Sequence, residues 1–441
     1  MAEKLTEGNI TKVLLKFSIP MILGNLLQQL YNVADTFIVG HYLGSDALAA
    51  VGSSFTLMTF LTSIILGLCM GSGILFSMYY GANQLDKMKT SFFISFTGIG
   101  VLTIILEILC LLNIVPILNF MNIPVDIFKD TQQYLLIIFW GLALTFIYNY
   151  FSSLLRALGN SRIPLLFLAI ASMINIILDI LLITKMNLGV SGAALATVIA
   201  QFFSALAITL YILIYKKDLL PKKEHCHFAG DIFKKLKDYS LLTCLQQSVM
   251  NFGILMIQGL VNSLGLVTMS AFVAAVKIDS FAYMPCQDFG NAFATFIAQN
   301  KGAGLDKRIK QGLKRAGVIV MIFCMIISGL VFIYSDQLML IFIDPTKQEI
   351  ISQGAQYLRI EGACYLGIGC LFMLYGYYRG IGKPGISVVL TVISLGTRVI
   401  LAYLLAGRFG PLAIWWAIPI GWFLADLTGI IYGIRKESWS N

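Results

Sequence analysis

Asp35 ends a series of polar residues, Asn25, Gln28 and Asn32, spaced three, four and three apart within an otherwise apolar stretch. That spacing puts four oxygen-bearing side chains on one helical face. Ser172, Asn175 and Asp179 repeat the arrangement later in the chain, and Thr197 with Gln201 one turn on adds a third set. Two carboxylates among amide and hydroxyl oxygens suit two tasks. They can pass a proton, because neighbouring carboxylates compete for charge and share one. They can also hold a bare Na+, which needs several oxygens. The plain alternative is hydrogen bonding between helices. It fits the amides taken singly and fits the carboxylates poorly, since a carboxylate midway along a membrane-spanning helix costs about 2.5–3.5 kcal/mol. Lipid would leave such groups unsatisfied, so these faces are expected to look into a cavity or a neighbouring helix.

The stretches that position them read as membrane spans. Mean hydropathy is +0.84 and 12% of residues are charged, about half the charged fraction of a soluble chain. Twelve runs are long enough for a hydrocarbon core of ~30 Å. They lie near residues 13–39, 48–80, 91–115, 131–155, 163–184, 189–215, 239–263, 268–300, 316–340, 354–378, 385–406 and 410–434. The second and eighth exceed one perpendicular crossing and are expected to tilt, kink or extend into solvent.

The twelve are two copies of six. Gly81-Ala82 recurs as Gly302-Ala303, Arg156-Ala157-Leu158-Gly159 as Arg379-Gly380-Ile381-Gly382, Pro164 as Pro384 and Gly189 as Gly410, at offsets between 220 and 223. The expected fold is therefore an all-α membrane protein. Twelve transmembrane helices form two six-helix lobes, related by a pseudo-two-fold axis along the membrane normal and facing a central cavity. The lobes are residues 1–217 and 239–441, joined by a linker at 218–238. A duplicated polytopic protein of this kind points to transport.

The net charge of +9 is a topology signal, not a nucleic-acid one. Of 31 Lys and Arg, 24 fall in the amino terminus, the even-numbered loops and the carboxyl terminus. The odd-numbered loops hold four, Lys129, Lys185, Lys347 and Arg408, and Lys277, Arg359 and Arg398 lie in spans. Both termini are thus expected in the cytoplasm, with span one acting as an uncleaved anchor. In the linker, His225-Cys226-His227 does not match structural zinc spacing. The eight cysteines are scattered and suggest no disulfide framework.

In detail the residues resemble one known family. Pro20, the run Asn25-Leu26-Leu27-Gln28-Gln29-Leu30-Tyr31-Asn32-Val33-Ala34-Asp35-Thr36-Phe37-Ile38-Val39-Gly40, the two Gly-Ala turns, the two Arg-x-x-Gly turns and Asn175-Ile176-Ile177-Leu178-Asp179 look like the multidrug and toxic compound extrusion (MATE) family. The resemblance covers essentially the whole chain. It implies an antiporter, not an enzyme, that exports organic, mostly cationic and aromatic compounds against inward Na+ or H+. It implies a cation-coupling site of Asp35, Asn175, Asp179 and Thr197, which would ligate a metal only if the ion is Na+. Substrate would meet Gln28, Tyr31, Tyr134 and Asn149, with Asn32 on the same span-one face, and Pro20 would serve as a hinge. The expected partners are small organic molecules and the bilayer of a bacterial plasma membrane. The protein is expected to act as a monomer, with no cofactor and no nucleic acid.

The resemblance implies that some branches of the family carry acidic coupling residues in spans seven and ten, and the chain lacks them. Span seven has Gln246, Gln247, Asn251, Gln258 and Asn262, and the span-ten position is Ile368. The second half instead carries Lys277, Asp279, Asp288, Glu361, Arg398 and Asp426, for which internal pairing and gating both stand open. Coupling through the amino lobe alone is expected. The rival reading is a flippase for a lipid-linked cell-envelope precursor, kept alive by Lys277 and Arg398 and opposed by the acidic amino lobe. A membrane enzyme would need a nucleophile or metal constellation, and none of the three His lies in a span.

The charge bias makes a direct forecast. A cysteine placed at Glu224 is expected to resist an impermeant thiol reagent added to intact cells and to react after permeabilisation. Efficient labelling from outside would overturn the twelve-span topology.

Overall fold

Long apolar runs cannot leave backbone N–H and C=O groups unpaired in lipid, and a helix pairs them within one segment. The residues that the computed structural model describes, 4–121 and 123–436, are accordingly built of helices joined by short turns and connections, with no strand among them. The first half comprises α1 (Ile10–Leu43), α2 (Ser45–Gly81), α3 (Leu85–Leu112), the short α4 (Ile114–Phe120), α5 (Val125–Phe139), α6 (Leu142–Ala157), α7 (Arg162–Ile180) and α8 (Gly189–Tyr215). A π-helical turn, Leu181–Lys185, extends α7. After the linker come α9 (Gly230–Ser263), α10 (Leu266–Gly302), α11 (Asp306–Ile333), the short α12 (Ser335–Met339), α13 (Gln348–Ala363), α14 (Tyr365–Gly380), α15 (Pro384–Phe409) and α16 (Pro411–Lys436). Ten of these segments are long and apolar enough to cross a bilayer. The pairs α5–α6 and α13–α14, bent by 45° and 54°, bring the number to twelve.

The repeated landmarks have a conformational cause. Gly159 and Gly382 have φ of 82° and 93°, and Asn83 and Gly304 have φ of 53° and 70°. Each pair ends equivalent helices in the left-handed region, where glycine is unstrained and asparagine is tolerated. The turns recur because both copies need the same sharp stop.

The long spans and the broken spans differ in character. The long second and eighth runs form unbroken 37-residue helices, α2 and α10, roughly 55 Å each at 1.5 Å per residue. They therefore extend past the hydrocarbon core. The fourth and tenth spans break instead. In the fourth, the Glu107 carboxylate on α3 accepts the Ala143 N–H at 3.2 Å, satisfying a free donor at the start of α6. Gly141 sits at the break, where an added Cβ would collide with Gln201 Oε1.

Packing divides the chain into two units, and the divisions fall inside helices rather than in the linker. One unit includes Leu23–Cys244; the other includes Leu5–Ile22 and Leu245–Asn441. In the first, α2 packs on α3, α5 and α6, while α8 packs on α5, α6 and α7. Six aromatic rings, Phe76, Phe92, Phe96, Phe146, Tyr150 and Phe151, form its densest cluster. In this unit His225 accepts the Lys222 N–H at Nδ1 (3.2 Å) and faces Asp86 with Nε2 (3.1 Å), pinning the linker to the start of α3. In the second unit α10 packs on α14, α13 and α11, and α15 on α16. Arg308 on α11 donates to the carbonyls of Leu5, Glu7 and Gly8, while Leu5 N–H donates to Gln299. Outward faces stay apolar: Val101, Ile104, Ile105 and Ile108 on α3 are all exposed, as lipid contact requires.

The α10–α14 crossing depends on two facing glycines. A Cβ at Gly376 would collide with the Gly290 carbonyl oxygen, whereas one at Gly396 on α15 would meet nothing within 4 Å. Gly376→Ala is expected to destabilise by about 1–3 kcal/mol through overpacking, read as a lower Tm in detergent. Gly396→Ala is expected to be neutral or slightly stabilising. Equal effects would show that the crossing is not close-packed.

Candidate functional site

The two carboxylates foreseen from spacing meet in the first unit. Asp179, the last acidic residue of α7, is 0% exposed, and Asp35 on α1 is half-buried. Their side chains lie within hydrogen-bonding reach of each other. Asp35 Oδ1 and both oxygens of Asp179 have no hydrogen-bond partner. Two carboxylates in contact in an apolar interior repel strongly unless a proton or a cation sits with them. The π-helical turn begins two residues after Asp179. It widens the helix there, a distortion that recurs at functional positions.

The neutral oxygens gather beside the pair. Asn175, one turn before Asp179 and 2% exposed, donates from Nδ2 to Thr197 Oγ1 on α8 at 3.4 Å. Its Oδ1 is left without a partner. Asp35, Asp179 and Asn175 thus bring unsatisfied acceptor oxygens from two helices into one unit, with the Thr197 hydroxyl of a third beside them. Among the described residues no group of three or more His, Cys, Asp and Glu could hold a metal ion. A cation here would have to use two carboxylates and neutral oxygens.

Tyrosines surround the carboxylates. Tyr31 lies near Gln28, Asp35, Asp179 and Tyr148, and Tyr134 of α5 is buried near Asp35, Tyr31 and Asp179. Tyr148 of α6 donates to the Pro164 carbonyl at 2.9 Å, which joins it to the start of α7.

A cavity of about 90 Å³ opens next to this cluster, with Gln28, Tyr31, Tyr148, Asn149, Asn175, Thr197 and Gln201 in its wall. That is room for an ion and a few waters; drug-sized ligands occupy roughly 300–1,000 Å³. Of the residues expected to meet substrate, Gln28, Tyr31 and Asn149 line the cavity. Tyr134, buried near the carboxylates, and Asn32, half-buried on the α1 face, lie outside the wall. Asn149 also donates to the Thr145 carbonyl at 2.8 Å. Pro20 lies within α1, which runs unbroken to Leu43, two residues before the chain passes from the second unit to the first.

Thr145 and Ser204 in the wall, and Glu107 at the α6 start, were not legible as site residues. Thr145 and Ser204 carry no charge. Glu107 was the one signal available, a lone carboxylate in span three.

Comparisons with known proteins agree over the whole length. The sequence model of the MatE family matches residues 20–181 and 242–404, once in each copy. The probable multidrug resistance protein YpnP of Bacillus subtilis is 30% identical over 448 residues, 98% of this chain and 97% of that protein. The probable multidrug resistance protein NorM of Thermotoga maritima is 25% identical, over 92% of this chain and 88% of that protein. A solved outward-facing structure of a multidrug resistance MATE family transporter of the MOP superfamily has the same fold. Its TM-score is 0.92 over 99% of this chain and 98% of that one, at 22% identity.

The unsatisfied carboxylates carry a stability cost that a neutral side chain would remove. Asp179→Asn is expected to raise Tm in detergent by a few degrees, with the gain growing as pH rises, because alkaline solution strips any shared proton. A lower Tm at every pH would mean that Asp179 is held by favourable partners.

Proposed function

The chain belongs to the MatE family, and from that premise we propose that it is a secondary antiporter exporting organic, mostly cationic and aromatic compounds in exchange for inward Na+ or H+. The observation that carries the reading is the contact between Asp35 and Asp179, with three of their oxygens unpartnered. A buried anionic pair of this kind favours whatever brings positive charge to it. A coupling ion and a cationic substrate both do, so each weakens the other, and such mutual exclusion is the thermodynamic requirement for exchange.

The cycle follows from that opposition. In an outward-open state the ion binds at Asp35, Asp179, Asn175 and Thr197. It neutralises the pair, and the hold on substrate is lost to the outside. In an inward-open state the ion leaves and the exposed carboxylates attract the next substrate. Gln28, Tyr31 and Asn149 meet the substrate as the small cavity enlarges, and Asn32 and Tyr134 join them. Tyrosine faces suit a planar, delocalised cation, which sheds little hydration. A compact dication would lose more solvation than two carboxylates return. Pro20 lets α1 bend between states. The protein works as a monomer in the plasma membrane, with residues 1–217 and 239–441 as its two lobes and both termini cytoplasmic.

Efflux from inverted membrane vesicles, with Na+ and H+ gradients imposed separately, tests this reading. One gradient is expected to drive export of a monocationic dye such as ethidium. Asp35→Asn and Asp179→Asn are each expected to abolish gradient-driven export while the protein remains folded in the membrane. Raising the driving ion is expected to weaken dye binding. Normal export by either variant would exclude the carboxylate pair from coupling, and tight binding indifferent to both ions would exclude competition.

A further inference from the structure

The second unit buries another pair of carboxylates that the proposed site does not use. Asp279 on α10 is 4% exposed and Glu361 near the end of α13 is 1% exposed. The two side chains lie within hydrogen-bonding reach of each other. Asp279 Oδ1 and Glu361 Oε1 are buried and have no hydrogen-bond partner. This pair is built from different elements than the amino-terminal one, and neither residue stands at the non-acidic positions of spans seven and ten noted above.

Titratable or charged groups on α10, α13, α14 and α15 surround the pair. Tyr357 on α13 faces Glu361 and Asp279, Tyr365 on α14 faces Asp279, and Tyr283 lies on α10 itself. Cys364 lies near Glu361. The half-buried Arg398 on α15 supplies the positive charge that both carboxylates feel. The Tyr365 hydroxyl, on a residue 2% exposed, points toward Asp279 yet completes no aligned hydrogen bond. A purely structural ion pair would leave fewer loose ends: the Arg398 Nε is also without a partner.

Charge counting decides the ligand. Two carboxylates and one guanidinium sum to one negative charge, and one added positive charge closes the balance. Na+ would need several oxygens at short range and would sit against the guanidinium. A proton needs only one oxygen, and it converts a repelling pair into a donor and an acceptor. We propose that Asp279 and Glu361 form a proton-binding site of the carboxy-terminal unit, separate from Asp35 and Asp179, in which one proton is shared and Arg398 balances the remaining charge. Glu361 lies three residues before the break at Cys364, whose N–H bonds to the Glu361 carbonyl at 2.8 Å. Asp279 meets groups on both arms of that bend, Glu361 and Tyr357 on α13 and Tyr365 on α14. The site's occupancy therefore bears on the bend between α13 and α14.

The chemistry of this site stands apart from transport; only its use in coupling rests on the antiporter reading. Infrared difference spectroscopy of the full-length protein in lipid nanodiscs, between acid and alkaline pH in H2O and D2O, reads it directly. A protonated-carboxyl C=O band, shifted in D2O, is expected in an Asp35→Asn/Asp179→Asn double variant and is expected to be lost when Asp279→Asn or Glu361→Gln is added to that double variant. Where those two variants fold poorly, Tyr365→Phe keeps the ring and is expected to move the band's frequency. Survival of the band in both triple variants, its absence from the double variant, or an unmoved band in Tyr365→Phe overturns the proposal. So does a band change driven by Na+ at fixed pH. Presence of the band alongside gradient-insensitive export would instead overturn the antiporter reading alone.

Discussion

An ionised carboxylate inside an apolar helical bundle must be accompanied by positive charge, and much else in this protein follows from how that demand is met. The first unit places Asp35 and Asp179 within hydrogen-bonding reach of each other, and burial and their mutual repulsion dominate what acts on them. The second unit places Asp279 and Glu361 together but adds Arg398. Both arrangements concentrate unfavourable energy in one spot. In the second unit the surrounding helices pack closely, as where Gly376 meets Gly290.

The duplicated plan explains why one chain holds two such arrangements of different character. The turns that end equivalent helices share left-handed backbone, so the two copies keep the same skeleton. The polar groups on that skeleton do not repeat. At the common offset, Asp35 corresponds to Met256 and Asp179 to Ile400. A tolerant scaffold of apolar helices lets the carboxylates migrate, provided that each finds a partner.

Most of the scaffold was legible in the chain itself, because bilayer thickness imposes span lengths that hydropathy records. The Asp35 and Asp179 faces were legible from helical spacing, and so was the Asn175–Thr197 neighbourhood through family resemblance. The breaks within the fourth and tenth spans were not. They carry no proline at the break, and the first depends on Glu107 reaching from another helix to Ala143, a contact that no local pattern announces. Nor did the sequence show that Asn32 would fall outside the cavity wall, since a helical face is wider than any one pocket. The division of α1 and α9 between units was equally hidden, because it reflects which neighbours pack, not where the chain is polar.

The anchoring of the amino-terminal segment has a consequence for biogenesis. Leu5 is buried and bonded to Gln299, Asn300 and Arg308, residues about 300 positions later in the chain. A ribosome adding roughly 5–20 residues per second makes these partners only about 15 to 60 seconds after Leu5 itself. During that interval the start of α1 has none of these contacts, and the first unit inserts with its leading helix only half accommodated. Closure of so long a loop makes assembly of the second unit a late event that depends on completion of the chain. Nascent chains halted before α11 would present residues 5–8 unseated, a ready handle for membrane quality control.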